Sequence, residues 1–328
     1  MVAEINSHTE VLKKVITNHF LSWDQNTFKA SSDYKFSLST LASEELALFA
    51  RENSGISFIE DNPIPPHETF PTLTKEISIM RHKYLESGYG FVILNGMLSK
   101  EFTRLEKIYC FWLICNIIGI PLAQNIKKEL LVEVTDKGQK LEEGGRYHNT
   151  NQGGSLHTDS PQWETTPNYV GLYCVQQAVS GGESKLASAI SLHNYILINY
   201  PELLPILYDS FHFDKRGEFI KGESPSTFSP IFSYNNQELH FRYLRDYIDS
   251  GHYAQPLTTQ QNQALQIIDD YLKNEKFILT LYLKQGQFLF LNNNRVIHGR
   301  NSFQDNKEQN IDRLLLRVWL KNSDLTSS

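Results

Sequence analysis

The stretch Gly153-Gly154-Ser155-Leu156-His157-Thr158-Asp159-Ser160-Pro161 sets an imidazole and a carboxylate two residues apart, directly after a glycine pair. On a β-strand, side chains at i and i+2 point to the same face. An extended backbone here brings His157 and Asp159 to one point, as two ligands of a single metal ion require. One imidazole and one carboxylate leave such an ion short of donors. A second imidazole stands far downstream, in Phe288-Leu289-Phe290-Leu291-Asn292-Asn293-Asn294-Arg295-Val296-Ile297-His298-Gly299-Arg300. Two histidines and a carboxylate make the facial triad of non-haem iron(II) sites, which keeps other coordination positions open.

Arg313-Leu314-Leu315-Leu316-Arg317-Val318-Trp319 follows His298 by one strand-to-strand distance. Alternation puts Arg313, Leu315 and Arg317 on one face, while Leu314, Leu316 and Val318 fill the other. Unpaired buried charge is costly and arginine grips carboxylates bidentately, so this face needs anions. Those anions are either internal Asp or Glu side chains or, given the metal motif, ligands of the site. Gly181-Gly182-Glu183-Ser184 follows His157 by one loop and one apolar strand. Each feature alone has a plainer reading. A bare H-x-D recurs by chance, and an arginine pair often sits in internal salt bridges.

In combination, and in this order, His157-Thr158-Asp159, the Gly181–Ser184 turn, the stretch from Asn294 to Arg300 and the Arg313–Arg317 strand resemble one family. It is the taurine dioxygenase and clavaminate synthase-like superfamily of Fe(II)- and 2-oxoglutarate-dependent oxygenases, and the likeness covers residues 85–321. The resemblance implies a mainly β fold with flanking helices around a double-stranded β-helix (jelly-roll) core. It implies iron ligation by His157, Asp159 and His298. It implies that Arg313 pairs with the distal carboxylate of 2-oxoglutarate, assisted by the Ser184 hydroxyl where the family more often has Thr. Arg317 matches a position that in several members holds the acidic group of the prime substrate. The implied activity uses O2 and converts 2-oxoglutarate to succinate and CO2. It hydroxylates an unactivated C–H of a small anionic molecule, such as an amino acid or related metabolite. Desaturation and cyclisation belong to the same class; halogenases of the class lack the carboxylate that Asp159 supplies. A non-catalytic metabolite sensor on the same fold is the alternative from outside enzymology, though a sensor need not keep triad and arginines together. Metal-dependent hydrolysis lacks a general base beside the triad.

The bulk properties agree with an ordinary globular chain: 328 residues, 40% hydrophobic, 21% charged, net charge −6. No dense Lys/Arg block points to nucleic acid, and no run of eighteen apolar residues points to a membrane span. The ten N-terminal residues lack the apolar core of a signal peptide. Cys110, Cys115 and Cys174 sit in apolar surroundings and read as free thiols of a reducing compartment, so the expected location is cytoplasmic.

One domain is expected over residues 1–328: an N-terminal extension over 1–70, a β core over 85–321, and a helical insert near 256–275. Helices are expected at 43–50 with Ser43 as N-cap, from Thr74 with Ile77, Met80, Tyr84 and Leu85 inward, and from Ser99 with Leu105, Ile108, Trp112, Cys115 and Ile118 inward. Further helices are read after Ser191 and over 258–273. Residues 62–66 form an extended proline connector. Strands are expected at 91–94, 169–175, 277–283, 286–291 and 313–320, with a hairpin of 228–234 and 238–243 around Asn235-Asn236. Gln162 and Trp163 fall where a lid or a packing loop lies. Arg242, Arg245, Asp246 and Asp249 read as a solvated charged face before a substrate contact. His148, His193, His212, His240 and His252 have no partner at ligand spacing.

Overall fold

A computed structural model of the chain describes residues 10–53, 67–95, 102–253, 255–309 and 311–323. Its apolar alternation is resolved into two facing sheets. The larger runs in the order Lys35–Phe36, Phe91–Leu94, Phe288–Asn292, Tyr169–Gln176, Leu314–Lys321, Ile120–Leu122, with Leu131–Val134 also paired to Leu314–Lys321. The smaller places Ser184–Ser188 between Leu279–Leu281 and Val296–Arg300, both antiparallel.

Period-two alternation then decides what each face meets. Leu316, Val318 and Leu320 turn to the helices Thr40–Asn53, Pro71–Met80 and Arg104–Ile118. Leu315 and Trp319, on the opposite face, pack with Leu186 and Val296 of the smaller sheet. Ala187 and Ile297 turn outward beneath the helices Ala189–Asn199 and Thr259–Lys273. The result is a helix, sheet, sheet, helix stack, the jelly-roll arrangement expected. The side chains of Ser184 and His298 share the inward parity of Leu186 and Val296.

Several local expectations are corrected. The first helix begins at Thr40, not at Ser43. Ser39 is its cap: its Oγ accepts from Ala42 N at 3.3 Å, while the Ser43 hydroxyl donates to Ser39 O at 2.8 Å. Ser99 and the 62–66 connector lie outside the described residues. The long apolar helix starts at Arg104 on Thr103, whose Oγ1 accepts from Glu106 N at 3.2 Å while the Glu106 carboxylate takes Thr103 N at 2.7 Å. It is buried almost all round, from Tyr109 to Cys115, because helices and sheet both cover it. Ser188, not Ser191, caps the next helix, accepting from Ser191 N at 3.1 Å. The hairpin pairs Phe232–Asn235 with Glu238–Phe241 across Asn236 and Gln237, both at positive φ as a tight primed turn requires. Ser226–Pro230 pairs with Ser210–Asp214 instead, since the strand breaks at the proline. The helix over Thr259–Lys273, with Thr258 as cap, is as expected.

The N-terminal segment is more than an appendage. Trp23 packs against Phe28 and Phe91 and donates its indole N–H to Tyr89 O at 2.9 Å. The Asn194 side chain takes both main-chain groups of Ile16. All three cysteines are buried and free. Among the described residues no helix is long and apolar enough to cross a membrane.

Thr103→Ala removes an N-cap from a helix that supports the larger sheet, and is expected to cost about 1 kcal/mol. Urea unfolding checks it; an unchanged midpoint contradicts the capping account.

Candidate active site

The ligand stretch is not a regular strand. It is a loop tied to the smaller sheet at one bridge, where His157 N donates to His298 O and His298 N to His157 O, each at 2.8 Å. The rings lie 4.8 Å apart between centroids. The Asp159 main chain is gripped by Asn293, whose Oδ1 accepts from Asp159 N at 2.8 Å and whose Nδ2 donates to Asp159 O at 3.0 Å. Ser160 then turns at φ 57°, in the left-handed region.

The side chains converge. Asp159 Oδ1 lies 3.5 Å from His157 Nε2 and 3.7 Å from His298 Nε2. His157 Nδ1 sits 2.7 Å from Ser155 O, and a carbonyl can only accept. Nδ1 therefore carries the proton, which leaves the Nε2 lone pair for a metal. Among the described residues these three form the one group of His, Cys, Asp or Glu able to hold an ion, with ligand atoms within 4.8 Å of one another. Two neutral imidazoles and a carboxylate are a donor set that suits ferrous iron.

Asp159 is held as an anion. Burial alone pushes its carboxyl up, but the Arg317 guanidinium outweighs it and holds it well below the usual carboxylate range. Arg317 Nη1 lies 3.4 Å from both carboxylate oxygens, and Trp319 Nε1 donates to Oδ2 at 2.7 Å. Gln124 fixes the guanidinium, accepting from Arg317 Nε at 2.8 Å while its Nε2 donates to Arg317 O at 2.8 Å. Tyr147 stacks on the His157 ring at 5.4 Å and 20° and donates its hydroxyl to Asp246 at 2.6 Å. Arg300 ties the loop beneath, donating to the carbonyls of Tyr147, Thr150 and Gln152.

Two cavities meet at the triad. One is lined by His157, Asp159, His298, Ser184, Arg313 and Arg317 among others, so all six residues expected at the site share it. In it Arg313 is 4% exposed and lies over the Phe303 ring at 5.0 Å. Its Nη1 has no hydrogen-bond partner, and no carboxylate comes within ion-pairing distance of its guanidinium among the described residues. A buried cation left so costs several kcal/mol, on the order of 3–5, unless an anion completes it. Carboxylate-binding capacity at one end and metal donors at the other fit a keto-diacid such as 2-oxoglutarate. The two arginines thus divide the alternatives: Arg317 does pair with an internal carboxylate, Asp159 itself, and Arg313 does not.

The second cavity lies across Asp159 and Arg317, with Trp319, Ser160, Gln162, Arg146 and Glu218 in its wall. His148 lines both cavities without joining the ligands; burial, then Arg317, hold its imidazole down to about 3, so it stays neutral.

The charged cluster at 242–249 is solvated only in part: Asp246 and Asp249 are exposed, while Arg242 and Arg245 are half-buried and committed to the protein. Arg242 is a half-buried clamp donating to Pro161 O, Trp163 O and Glu164 O at 3.2, 3.1 and 3.4 Å. Arg245 pairs with Asp249 and Asp269. Trp163 packs edge-on against Trp319. Sequence reasoning missed Trp319, although one more step of the 313–317 alternation reaches it. Asn293 stands inside the Asn292-Asn293-Asn294 run, where nothing local marks its grip on Asp159. Tyr147 carried no signal, since a loop tyrosine ten residues before a histidine has no spacing rule.

Residues 60–319 match the family described as "Taurine catabolism dioxygenase TauD, TfdA family". FR-33289 synthase of Streptomyces rubellomurinus is 28% identical over 323 residues, covering 95% of this chain and 91% of that protein. Taurine hydroxylase-like protein SAT17 of Stachybotrys chartarum is 26% identical over 337 residues, covering 98% and 84%. Among solved structures, asparagine oxygenase in complex with Fe(II), 2S,3S-3-hydroxyasparagine and succinate superposes with a TM-score of 0.70 at 16% identity, over 88% of this chain and 94% of that one. The non-haem iron oxygenase OrfP in complex with Fe and alpha-ketoglutaric acid gives 0.66 at 15% identity, over 89% and 96%. These likenesses extend the jelly-roll assignment to the whole of the described core.

Gly182 sits at φ 75°, and a Cβ there meets Arg313 Nε at 2.9 Å. Gly182→Ala is expected to push the guanidinium aside and weaken 2-oxoglutarate binding by about tenfold or more, the scale of one hydrogen bond to a charged group. Ferrous affinity should hold, since the triad is untouched. Calorimetric titration of each ligand checks this, and an unchanged 2-oxoglutarate affinity contradicts it.

Proposed function

The chain belongs to the taurine catabolism dioxygenase TauD, TfdA family and is an Fe(II)- and 2-oxoglutarate-dependent oxygenase, and from that premise we propose that it hydroxylates an unactivated C–H of a small anionic substrate. The observation that carries the residue assignments is the unpaired, buried Arg313 guanidinium in the cavity that also holds the triad. His157, Asp159 and His298 hold the ferrous ion; Arg313 and the Ser184 hydroxyl hold the distal carboxylate of the cosubstrate. When bound, iron and 2-oxoglutarate supply the oxidising power, consuming O2 and yielding succinate and CO2.

The protein's own work is positioning. Trp319 and Arg317 fix the Asp159 carboxylate, and the Ser155 carbonyl fixes the His157 tautomer. Leu172 and Leu315 line the cosubstrate cavity and keep it apolar between its polar ends. Arg317 spends Nε on Gln124 and Nη1 on Asp159, which leaves Nη2 to hold the substrate's anion from the second cavity. Substrates of this reading include an amino acid or a related metabolite. Solved neighbours are named with hydroxyasparagine and with hydroxyarginine bound, which supports small amino-acid-like molecules as the class to test. The same reading takes residues 1–328 as one domain working in the cytoplasm.

With Fe(II), 2-oxoglutarate and a panel of small acids, the protein is expected to release succinate, and His157→Ala to abolish release. Arg313→Ala should raise the KM for 2-oxoglutarate by about 30-fold or more, the cost of truncating one partner of a buried charge pair. Wild-type protein that binds iron yet yields no succinate with any acid contradicts the proposal.

A further inference from the structure

Two residues in the wall of the second cavity each carry a buried polar atom with no partner among the described residues: Gln162 Oε1 and Ser160 Oγ, on residues 4% and 5% exposed. Leaving such groups bare is costly, so native proteins rarely do it without a purpose. Their loop is not loose. Thr227 donates its hydroxyl to Gln162 O at 2.5 Å, and Arg242 holds the carbonyls on either side, of Pro161 and Trp163. Ser160 is kept at φ 57°, a conformation that a non-glycine residue holds only when its surroundings impose it. The clamp and the strained turn together fix the two acceptors in the cavity wall, three residues or fewer past a metal ligand.

The charges around them select the donor. Of the carboxylates lining this cavity, Asp159 belongs to the metal set and Glu218 is paired with Arg146 at 2.9 Å. Arg146 also donates to Tyr247 Oη at 2.8 Å, so that pair is anchored. An ammonium group entering here meets two guanidinium groups, Arg146 and Arg317, and no uncommitted carboxylate. A buried cation facing only neutral acceptors is disfavoured. A neutral N–H or O–H loses far less on leaving water and gives a bare oxygen the donor it lacks.

We propose that Gln162, with Ser160, is the specificity-determining contact for the prime substrate, and that it receives an uncharged donor. The substrate class is then an acid that carries an amide N–H or a hydroxyl beside its anionic group, in preference to a free α-amino acid. This rests on the reading that Arg317 holds the anion, and it narrows that reading.

The test offers a set of L-amino acids in three forms each: free, N-acetylated, and N-acetylated with the amide nitrogen methylated. Binding to the anaerobic enzyme with Fe(II) and 2-oxoglutarate is read from tryptophan fluorescence, since Trp319 lines the cavity, and turnover from succinate. Wild-type protein is expected to bind the N-acetyl form about tenfold better than either other form, the scale of one hydrogen bond. Gln162→Leu should erase the preference for N–H over N-methyl. Gln162→Glu should move the ratio by about tenfold toward the free amino acid, because it supplies the missing carboxylate. Thr227→Val, which loosens the loop without touching substrate, should blunt discrimination and serves if the Leu variant does not fold. Ratios unmoved by all three substitutions overturn the proposal. So does a wild-type preference for free amino acids, or no binding of any donor-bearing acid. Binding of 2-oxoglutarate with no acid added reports separately on the oxygenase reading, so the failure of one is distinguishable from the failure of the other.

Discussion

Two main-chain hydrogen bonds, exchanged between His157 and His298 at 2.8 Å each way, hold this site together. They join a loop that has no strand of its own to a strand anchored in the smaller sheet. In such a closely paired bridge the two side chains project on the same side, so the imidazoles are delivered together whatever the rest of the loop does. Asp159 follows because Asn293, from the turn before that same strand, takes both main-chain groups of Asp159. Ligands 139 or more residues apart in sequence are thus set by one short segment, from Asn293 to His298.

Charge organises the rest. The buried Asp159 carboxylate is stabilised by Arg317 and an indole N–H. Arg313, two alternation steps earlier on the same inward face, has no such counterpart. The same strand therefore presents one compensated and one uncompensated guanidinium, about 13 Å apart at the rise of an extended chain. That asymmetry separates the cavity's two ends, one where the guanidinium pairs with Asp159 and one where it meets no carboxylate among the described residues. The clamp of Arg242 and Thr227 behind the ligand loop gives the opposite cavity a fixed wall.

The motifs were legible because they obey local rules. The inward parity of His298 and the alternation of Arg313 and Arg317 follow from strand geometry whatever the topology, and the two-residue spacing of H-x-D is as local a signal. The helix starts were less legible. Ser43 and Ser191 are serines near helices, but the caps are Ser39 and Ser188, each one short step upstream, and cap choice depends on where the tertiary packing lets the helix begin. The strand expected under His157 proved a loop, since the two-residue spacing is satisfied equally by a single bridge. Arg242 misled for a different reason: charge in a sequence reads as exposure, and nothing local reveals that three carbonyls wait for it. Tyr147 and its bond to Asp246 join residues 99 apart, a pairing only the fold creates.

The account stands on the convergence of three side chains on one ion. The most direct measurement is ferrous binding by the purified protein under anaerobic conditions, compared with its Asp159→Ala and His298→Ala variants. It predicts one ferrous ion per chain for the wild type and loss of that site in either variant. Ferrous binding that persists with the same stoichiometry and affinity in both variants would contradict it.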